Sequence, residues 1–276
     1  MACSDSDYAY LRELVLAQSA NLIDPSRNAL FETRLTPIAR VAGAANLEGL
    51  VNILRVDRPA HLHRAVAEAM TINETSFFRD VKPFEALRLT VFPNLIAQRQ
   101  AVRRLRIWSA ASSTGQEAYS VAMTLVEYFP ELARWDVKII GTDISRNVVD
   151  YAKRARYRRL EVNRGLRARF LMKYFERDGE EWEVCSRVRS MCEFHVANLC
   201  APLPPLPQFD LVMLRNVLLY FPQQDRTCVF SDVYRQMQAQ GYLVLGNAEQ
   251  AEDSTNVFVA EFGSECYFYR PVAKTG

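Results

Sequence analysis

Arg106-Ile107-Trp108-Ser109-Ala110-Ala111-Ser112-Ser113-Thr114-Gly115-Gln116-Glu117 is the stretch on which the fold turns. Arg106-Ile107-Trp108 opens a strand and a run of small polar residues follows it. Residues 116–129 then carry Ala118, Val121, Ala122, Leu125 and Phe129 on one helical face. A strand that passes through a tight turn into an amphipathic helix is the first half of a βαβ unit. Residues 137–141 supply the next strand, and 193–196, Phe209–Leu214, 241–245 and 266–269 read as further strands. Strands separated by helices predict an α/β domain with a mainly parallel sheet.

Upstream of this region the pattern is helical throughout. Ser4 to Asp7 precede a helix carrying Tyr8, Leu11 and Val15. Asp24-Pro25-Ser26 opens a second helix that runs to Gly43, and 47–54 and 62–70 follow. Polar starts, proline in a first turn and glycine at an end are helix punctuation. No strand-like alternation occurs, so a small all-helical N-terminal domain is expected over 1–72 and the α/β domain over 73–276. Pro202, Pro204, Pro205 and Pro207 make a stiff loop before the Phe209 strand.

Composition excludes several classes. The 276 residues are 49% hydrophobic and 24% charged, ordinary for a globular protein. Lys and Arg number 34 against 32 Asp and Glu, a formal charge of +2, too small for nucleic-acid binding to be the main business. Residues 1–7 carry acids where a signal peptide needs positive charge, and no long apolar run occurs, so a cytoplasmic protein without membrane insertion is expected. Cys3, Cys185, Cys192, Cys200, Cys228 and Cys266 form no C-x-x-C pair, and no histidine stands at ligand spacing. Reduced thiols and no metal are expected. His61, His63 and His195 read as packing or surface residues.

The turn after the first strand lets a ligand approach backbone N–H groups at a helix start. It is neither G-x-G-x-x-G nor a Walker loop, and with 10 glycines in the chain a pyrophosphate cradle is hard to find. A ligand without phosphate, carrying a ribose and a charged amino-acid part, suits it better. Gly141-Thr142-Asp143 places a carboxylate after the second strand, where doubly wound folds bind ribose hydroxyls. Glu117 has two readings, a ligand contact or the far end of a Thr114-x-x-Glu117 capping box.

Thr71-Ile72-Asn73-Glu74-Thr75-Ser76-Phe77-Phe78-Arg79-Asp80 closely resembles the signature of chemotaxis-receptor glutamate methyltransferases, the CheR family. Further blocks follow in order: Trp108-Ser109-Ala110 with 113–117, Gly141-Thr142-Asp143-Ile144, Arg164-Gly165-Leu166, Tyr174-Phe175, Asn198-Leu199, 215–221, and 241–246 with Glu249. The resemblance spans about 8–271. It implies a class I (Rossmann-like) S-adenosylmethionine (SAM) methyltransferase domain with its last strand antiparallel, and a β-hairpin subdomain inserted at about 176–196.

It also implies site residues. Asn73, Thr75 and Arg79 would reach the methionine part of the cofactor. Glu117 and Asp143 would line the cleft, with Asp143 on the ribose. Asn198, Leu199, Arg215 and Asn216 would close the adenine and reaction side. From the chemistry of methyl transfer, and not from the resemblance, Arg79 is expected to anchor the cofactor carboxylate and Tyr220 to orient the substrate oxygen in catalysis. The implied reaction turns glutamates of a chemoreceptor's cytoplasmic helical domain into methyl esters, releasing S-adenosylhomocysteine; a monomer is expected. Ser112, Gln116, Ala118, Arg156 and Asn247-Ala248 depart from the family pattern. They keep a second reading open, a weakly catalytic SAM-binding sensor, beside a third, a different methyl acceptor. The hairpin segment 176–189 has one glycine and the acids Glu180, Glu181 and Glu183. Recognition through basic residues of the helical domain, without a C-terminal pentapeptide tether, is therefore expected.

Overall fold

The computed structural model describes residues 3–251 and 256–272. The outermost ends of the two expected domains, 1–2 and 273–276, lie outside them. The chain divides into two compact units, one of residues 1–72 with 220–226, the other of 73–219 with 227–276.

The first unit is helical: α1 (Asp5–Ser19), α2 (Ala29–Val41), α3 (Leu47–Val56) and α4 (Ala60–Ala69). Ser4 and Asp7 form a reciprocal capping box on α1, satisfying N–H groups that the first helical turn leaves open. Ala20 ends α1 in the left-handed conformation with its N–H on the Leu16 carbonyl (2.8 Å). The second helix begins later than its sequence predicts. Asp24 caps only a 3₁₀ turn, Pro25–Arg27, and α2 starts at Ala29. Leu11, Val15, Phe31, Leu35, Leu50, Val51, Leu54, Val66 and Met70 fill the core of this unit.

The second unit holds α5 (Lys82–Ala86), a π-helical turn (Leu87–Val91), α6 (Phe92–Arg99), α7 (Gln116–Tyr128), α8 (Arg146–Arg154), α9 (Arg159–Val162), α10 (Ala168–Tyr174) and α11 (Ser186–Arg189). Helix α12 runs from Gln223 to Gln236. The strands are β1 (Arg104–Ala110), β2 (Asp136–Asp143), β3 (Arg156–Arg158), β4 (Phe175–Asp178), β5 (Glu181–Val184), β6 (Cys192–Val196), β7 (Phe209–Leu214), β8 (Met237–Leu245), β9 (Phe258–Gly263) and β10 (Cys266–Pro271). Seven of them form one sheet in the order β6-β2-β1-β7-β8-β10-β9. The first five in that order are parallel, while β10 runs antiparallel to both β8 and β9. This is the class I methyltransferase arrangement.

Central strands covered on both faces read as continuous apolar runs, and β7, Phe-Asp-Leu-Val-Met-Leu, is buried at every residue. Its one acid, Asp210, is 3% exposed and accepts from Arg99 Nε (2.5 Å) and the Arg106 N–H (2.8 Å).

The small second sheet, β3-β5-β4, begins at Arg156 rather than within the expected 176–196 segment. Residues 192–196, placed in that insert from sequence, instead extend the main sheet as β6, because Phe194 packs across Gly141 of β2. A Cβ at Gly141 would lie 2.4 Å from the Phe194 ring, so only glycine allows this approach.

Candidate active site

Three strand ends build the site. Ala110, the last residue of β1, pairs with Thr142 on one side and Leu214 on the other. The turn after β1, Asp143 at the end of β2 and Arg215 just beyond β7 therefore lie side by side at the carboxyl edge of the sheet, where open α/β sheets take ligands.

The turn after β1 has left-handed backbone at Ala111 (φ 57°), Ser113 (φ 49°) and Gly115 (φ 92°). It is pinned by Ser112 N–H to the Thr142 carbonyl (2.8 Å), Ser113 N–H to Asp143 Oδ2 (2.9 Å) and the Ser113 hydroxyl to the Asn73 carbonyl (2.8 Å). Tyr157 donates to the Thr114 carbonyl (2.7 Å), and burial raises its phenol pKa so that it stays a neutral donor. Asp143 is 7% exposed, and its other oxygen accepts from Ser145 N–H (3.0 Å). Two backbone donors thus fix the carboxylate that the sequence assigns to ribose.

Glu117 does not form a capping box. Gly115 is the N-cap residue of α7 and makes no side-chain bond there, and the Thr114 hydroxyl goes to Gln116 Oε1 (2.8 Å). The Glu117 carboxylate instead accepts from the Ser109 hydroxyl (2.7 Å) and from Arg215 Nη1 (3.1 Å). Arg215, with its side chain 1% exposed, also reaches Asp80 Oδ2 (2.8 Å) and the Arg79 carbonyl (3.0 Å). Its guanidinium ties the end of β7 to the start of α7 and to the ten-residue signature; among the described residues its Nε is buried without a hydrogen-bond partner.

The signature segment is held in an unfavourable backbone. Phe78 (φ 49°), Asp80 (φ 69°) and the β-branched Val81 (φ 44°) all have positive φ, a backbone that costs about 1–3 kcal/mol per residue and persists only where surroundings enforce it. Here they do. Phe77 is fully buried with its ring edge-on to Tyr157 (5.0 Å) and Phe175 (5.4 Å), and Phe78 packs on Phe84 and Phe170. The Phe78 N–H donates to the Ser120 hydroxyl (2.9 Å). Arg79 Nη1 donates to the Glu74 carbonyl (2.8 Å). Glu74 is ion-paired with Arg164, whose hydrogen bond and charge hold its carboxyl below the usual range.

Among the other expected site residues, Asn73 is exposed and Thr75 half-buried on this same segment. Asn198 follows β6 and accepts the Cys200 N–H (2.9 Å), while Leu199 is buried. Asn216, left-handed at φ 59°, follows Arg215. Tyr220 belongs to the helical unit, where its carbonyl accepts the Leu22 N–H (2.8 Å). Sequence reasoning quoted Asp80 and Glu249 inside family blocks but gave them no role. Asp80 had a readable signal, as the acid closing a signature that already contained Arg79.

The donor set tests which ligand fits. Asp80, Glu117 and Asp143 bring three carboxylates to the strand ends, and the one buried cation among them, Arg215, is matched by two. Such a surface repels phosphate and favours a diol, an ammonium and a sulfonium, three groups that SAM carries. Fold and site together define a class I SAM-dependent methyltransferase.

The SAM-binding domain of the CheR methyltransferase family matches residues 73–266, and the chain belongs to that family. Chemotaxis protein methyltransferase 1 of Pseudomonas aeruginosa is 34% identical over 253 residues, covering 90% of this chain and 92% of that protein. Chemotaxis protein methyltransferase Cher2 of Pseudomonas putida is 33% identical with the same coverage. The chemotaxis protein methyltransferase of Vibrio parahaemolyticus is 32% identical over 259 residues, covering 92% and 93%. The cofactor is SAM and the protein is a chemotaxis methyltransferase. Among the described residues no helix is long and apolar enough to cross a membrane.

Proposed function

We propose that the protein methylates glutamate side chains on the cytoplasmic helical domain of chemoreceptors, yielding glutamyl methyl esters and S-adenosylhomocysteine. The observation that carries this reading is the Glu117–Arg215–Asp80 network, centred on the buried Arg215 guanidinium beside Asp143, which supplies acceptors for a cationic cofactor. A glutamate acceptor needs no general base. With a pKa near ~4.3 it is already ionised at neutral pH, so the protein has to align and desolvate it. SAM, when bound, supplies an electrophilic methyl group on sulfur. Bringing a carboxylate to roughly 3–3.5 Å of that carbon in a water-poor site accounts for most of the acceleration. Arg79 is assigned to the cofactor carboxylate and Tyr220 to orienting the substrate oxygen. Asn73, Thr75, Asn198, Leu199 and Asn216 are assigned to cofactor contact.

Recognition is assigned to the helical unit, where Arg27, Arg40, Arg58 and Arg64 are exposed and suit an acidic methylation helix. The tight Gly179-Glu180 turn between β4 and β5 leaves a short hairpin, which disfavours a pentapeptide tether. The repulsion expected from the hairpin acids is reduced, because Arg156 lies 3.6 Å from Glu181 and 3.9 Å from Glu183, and Glu183 also pairs with Arg189. A tether would have to enter the cleft lined by Arg158, Arg159, Arg177, Glu180, Glu181 and Trp182, where acids stand among the arginines.

Labelled SAM with a panel of receptor cytoplasmic domains tests the reading, each receptor offered with and without its last five residues. Base-labile label on the receptor, at rates indifferent to truncation, is expected. Label that resists mild base would point to another acceptor, and a large loss on truncation to a tether. Binding without even a single turnover would favour the sensor reading.

A further inference from the structure

The residue that the site's known geometry leaves unexplained is Glu249. It is 7% exposed, and its two oxygens take four backbone N–H groups. Oε2 accepts from Asn216 (2.6 Å) and Gly246 (2.8 Å), and Oε1 from Val217 (2.9 Å) and Leu218 (2.8 Å). Leu214 and Leu245, the last residues of β7 and β8, are paired neighbours, so the carboxylate sits in the fork where two parallel strands end. Amides converging after a left-handed residue make an anion nest. This one is filled from within the chain.

The chain is built around that contact. A Cβ at Gly246 would fall 2.6 Å from Glu249 Oε2 and 3.0 Å from the Asn216 nitrogen, so glycine is required there for the carboxylate to reach. Asn216 is a residue that tolerates φ 59° by type, but the three successive N–H groups of 216–218 aimed at one point are held by the charge. Arg215 immediately precedes them, and its guanidinium fixes Glu117, Asp80 and the Arg79 carbonyl.

We propose that Glu249 is a positioning residue of the methyl-transfer site: by clamping the amides of 216–218 it sets the backbone from which Arg215 and Asn216 reach the reaction side. Glu249 itself contacts no reactant. The inference rests on the methyltransferase reading above, and it acts through backbone rather than through a side chain on substrate.

Glu249→Gln keeps the volume but turns an NH₂ toward amides that need an acceptor. Hydrogen exchange by mass spectrometry on the whole protein reads the clamp, and steady-state methylation reads its consequence. Exchange is expected to accelerate at least about 10-fold in peptides covering 216–218 while β1 and β2 stay protected. kcat is expected to fall about 100-fold with the receptor KM within about three-fold, the pattern of lost transition-state alignment. Unchanged exchange overturns the proposal. So does accelerated exchange with kcat near wild type at a temperature where both proteins are folded, because that is a merely structural role. If the Gln variant does not fold, Glu249→Asp, which keeps the charge but shortens its reach, is read against the same outcomes. A wild type that transfers no methyl group to any receptor refutes the proposed function instead, and the exchange result still decides whether the clamp exists.

Discussion

Arg215 Nη1 lies 3.1 Å from Glu117 Oε2, with the arginine side chain 1% and the glutamate side chain 13% exposed. The pair links the end of β7 to the start of α7, and through Asp80 it also restrains the positive-φ residues Phe78, Asp80 and Val81. Removing one member of a buried pair strands the other charge, at about 3–5 kcal/mol. Arg215→Ala is therefore expected to destabilise by about that amount in urea unfolding. In a double-mutant cycle with Glu117→Ala the two losses are expected to be clearly non-additive. Additive losses would show that the pair is not a unit.

Asp143→Ala removes the acceptor of the Ser113 and Ser145 N–H groups as well as the carboxylate assigned to ribose. Charge-assisted hydrogen bonds contribute about 1.5–3 kcal/mol each. Calorimetric titration is expected to show SAM and S-adenosylhomocysteine weakened in parallel, by at least about ten-fold. Unchanged affinity for both would remove Asp143 from the site.

Arg79→Ala is expected to abolish methyl transfer with little effect on folding. The guanidinium makes a local bond to the Glu74 carbonyl, while it is the Arg79 backbone oxygen that Arg215 holds. A normal melting curve with full activity would show that the side chain is not part of the reaction machinery.

Gly165→Ala tests why a glycine belongs in Arg164-Gly165-Leu166. At φ +86°, an added Cβ would fall 2.0 Å from the Phe77 carbonyl oxygen. The backbone conformation alone costs about 1–3 kcal/mol for an L-residue, and the clash adds to it by pushing on the signature segment. A melting temperature within a degree of wild type would contradict this geometry.

Acid stability is expected to depend on Glu127. Hydrogen bonds from Lys173 and then from Tyr174 hold its carboxyl below the ordinary range. A carboxyl depressed on folding contributes stability that is fully present above its unfolded pKa, about 4.3, and is lost as pH falls through the folded value. The pair is partly exposed, with Lys173 57% accessible, so about 0.2–1 kcal/mol is at stake. Lys173→Met is expected to lower the melting temperature slightly at pH 6–7, with the gap closing below about pH 4. A gap that stays constant down to pH 3 would exclude this origin.

Local sequence determined most of the α/β frame. The strand-turn-helix at 104–128, the all-buried β7 and the capping signal of α1 depend on residues close in the chain, and each is readable where it stands. The ordered motifs likewise mark out Glu117, Asp143, Arg215 and the 71–80 signature from sequence alone. Only the tertiary structure decided what those residues do to one another. Thr114-x-x-Glu117 was equally good as a capping box, and the choice against it was made by Ser109 and by Arg215, 98 positions away. Glu249 became a clamp because β7 and β8 end side by side, and β6 joined the main sheet because Gly141 admits the Phe194 ring. Capping and periodicity are set within a few residues, whereas a buried charge takes its role from the distant groups that compensate it when water is removed.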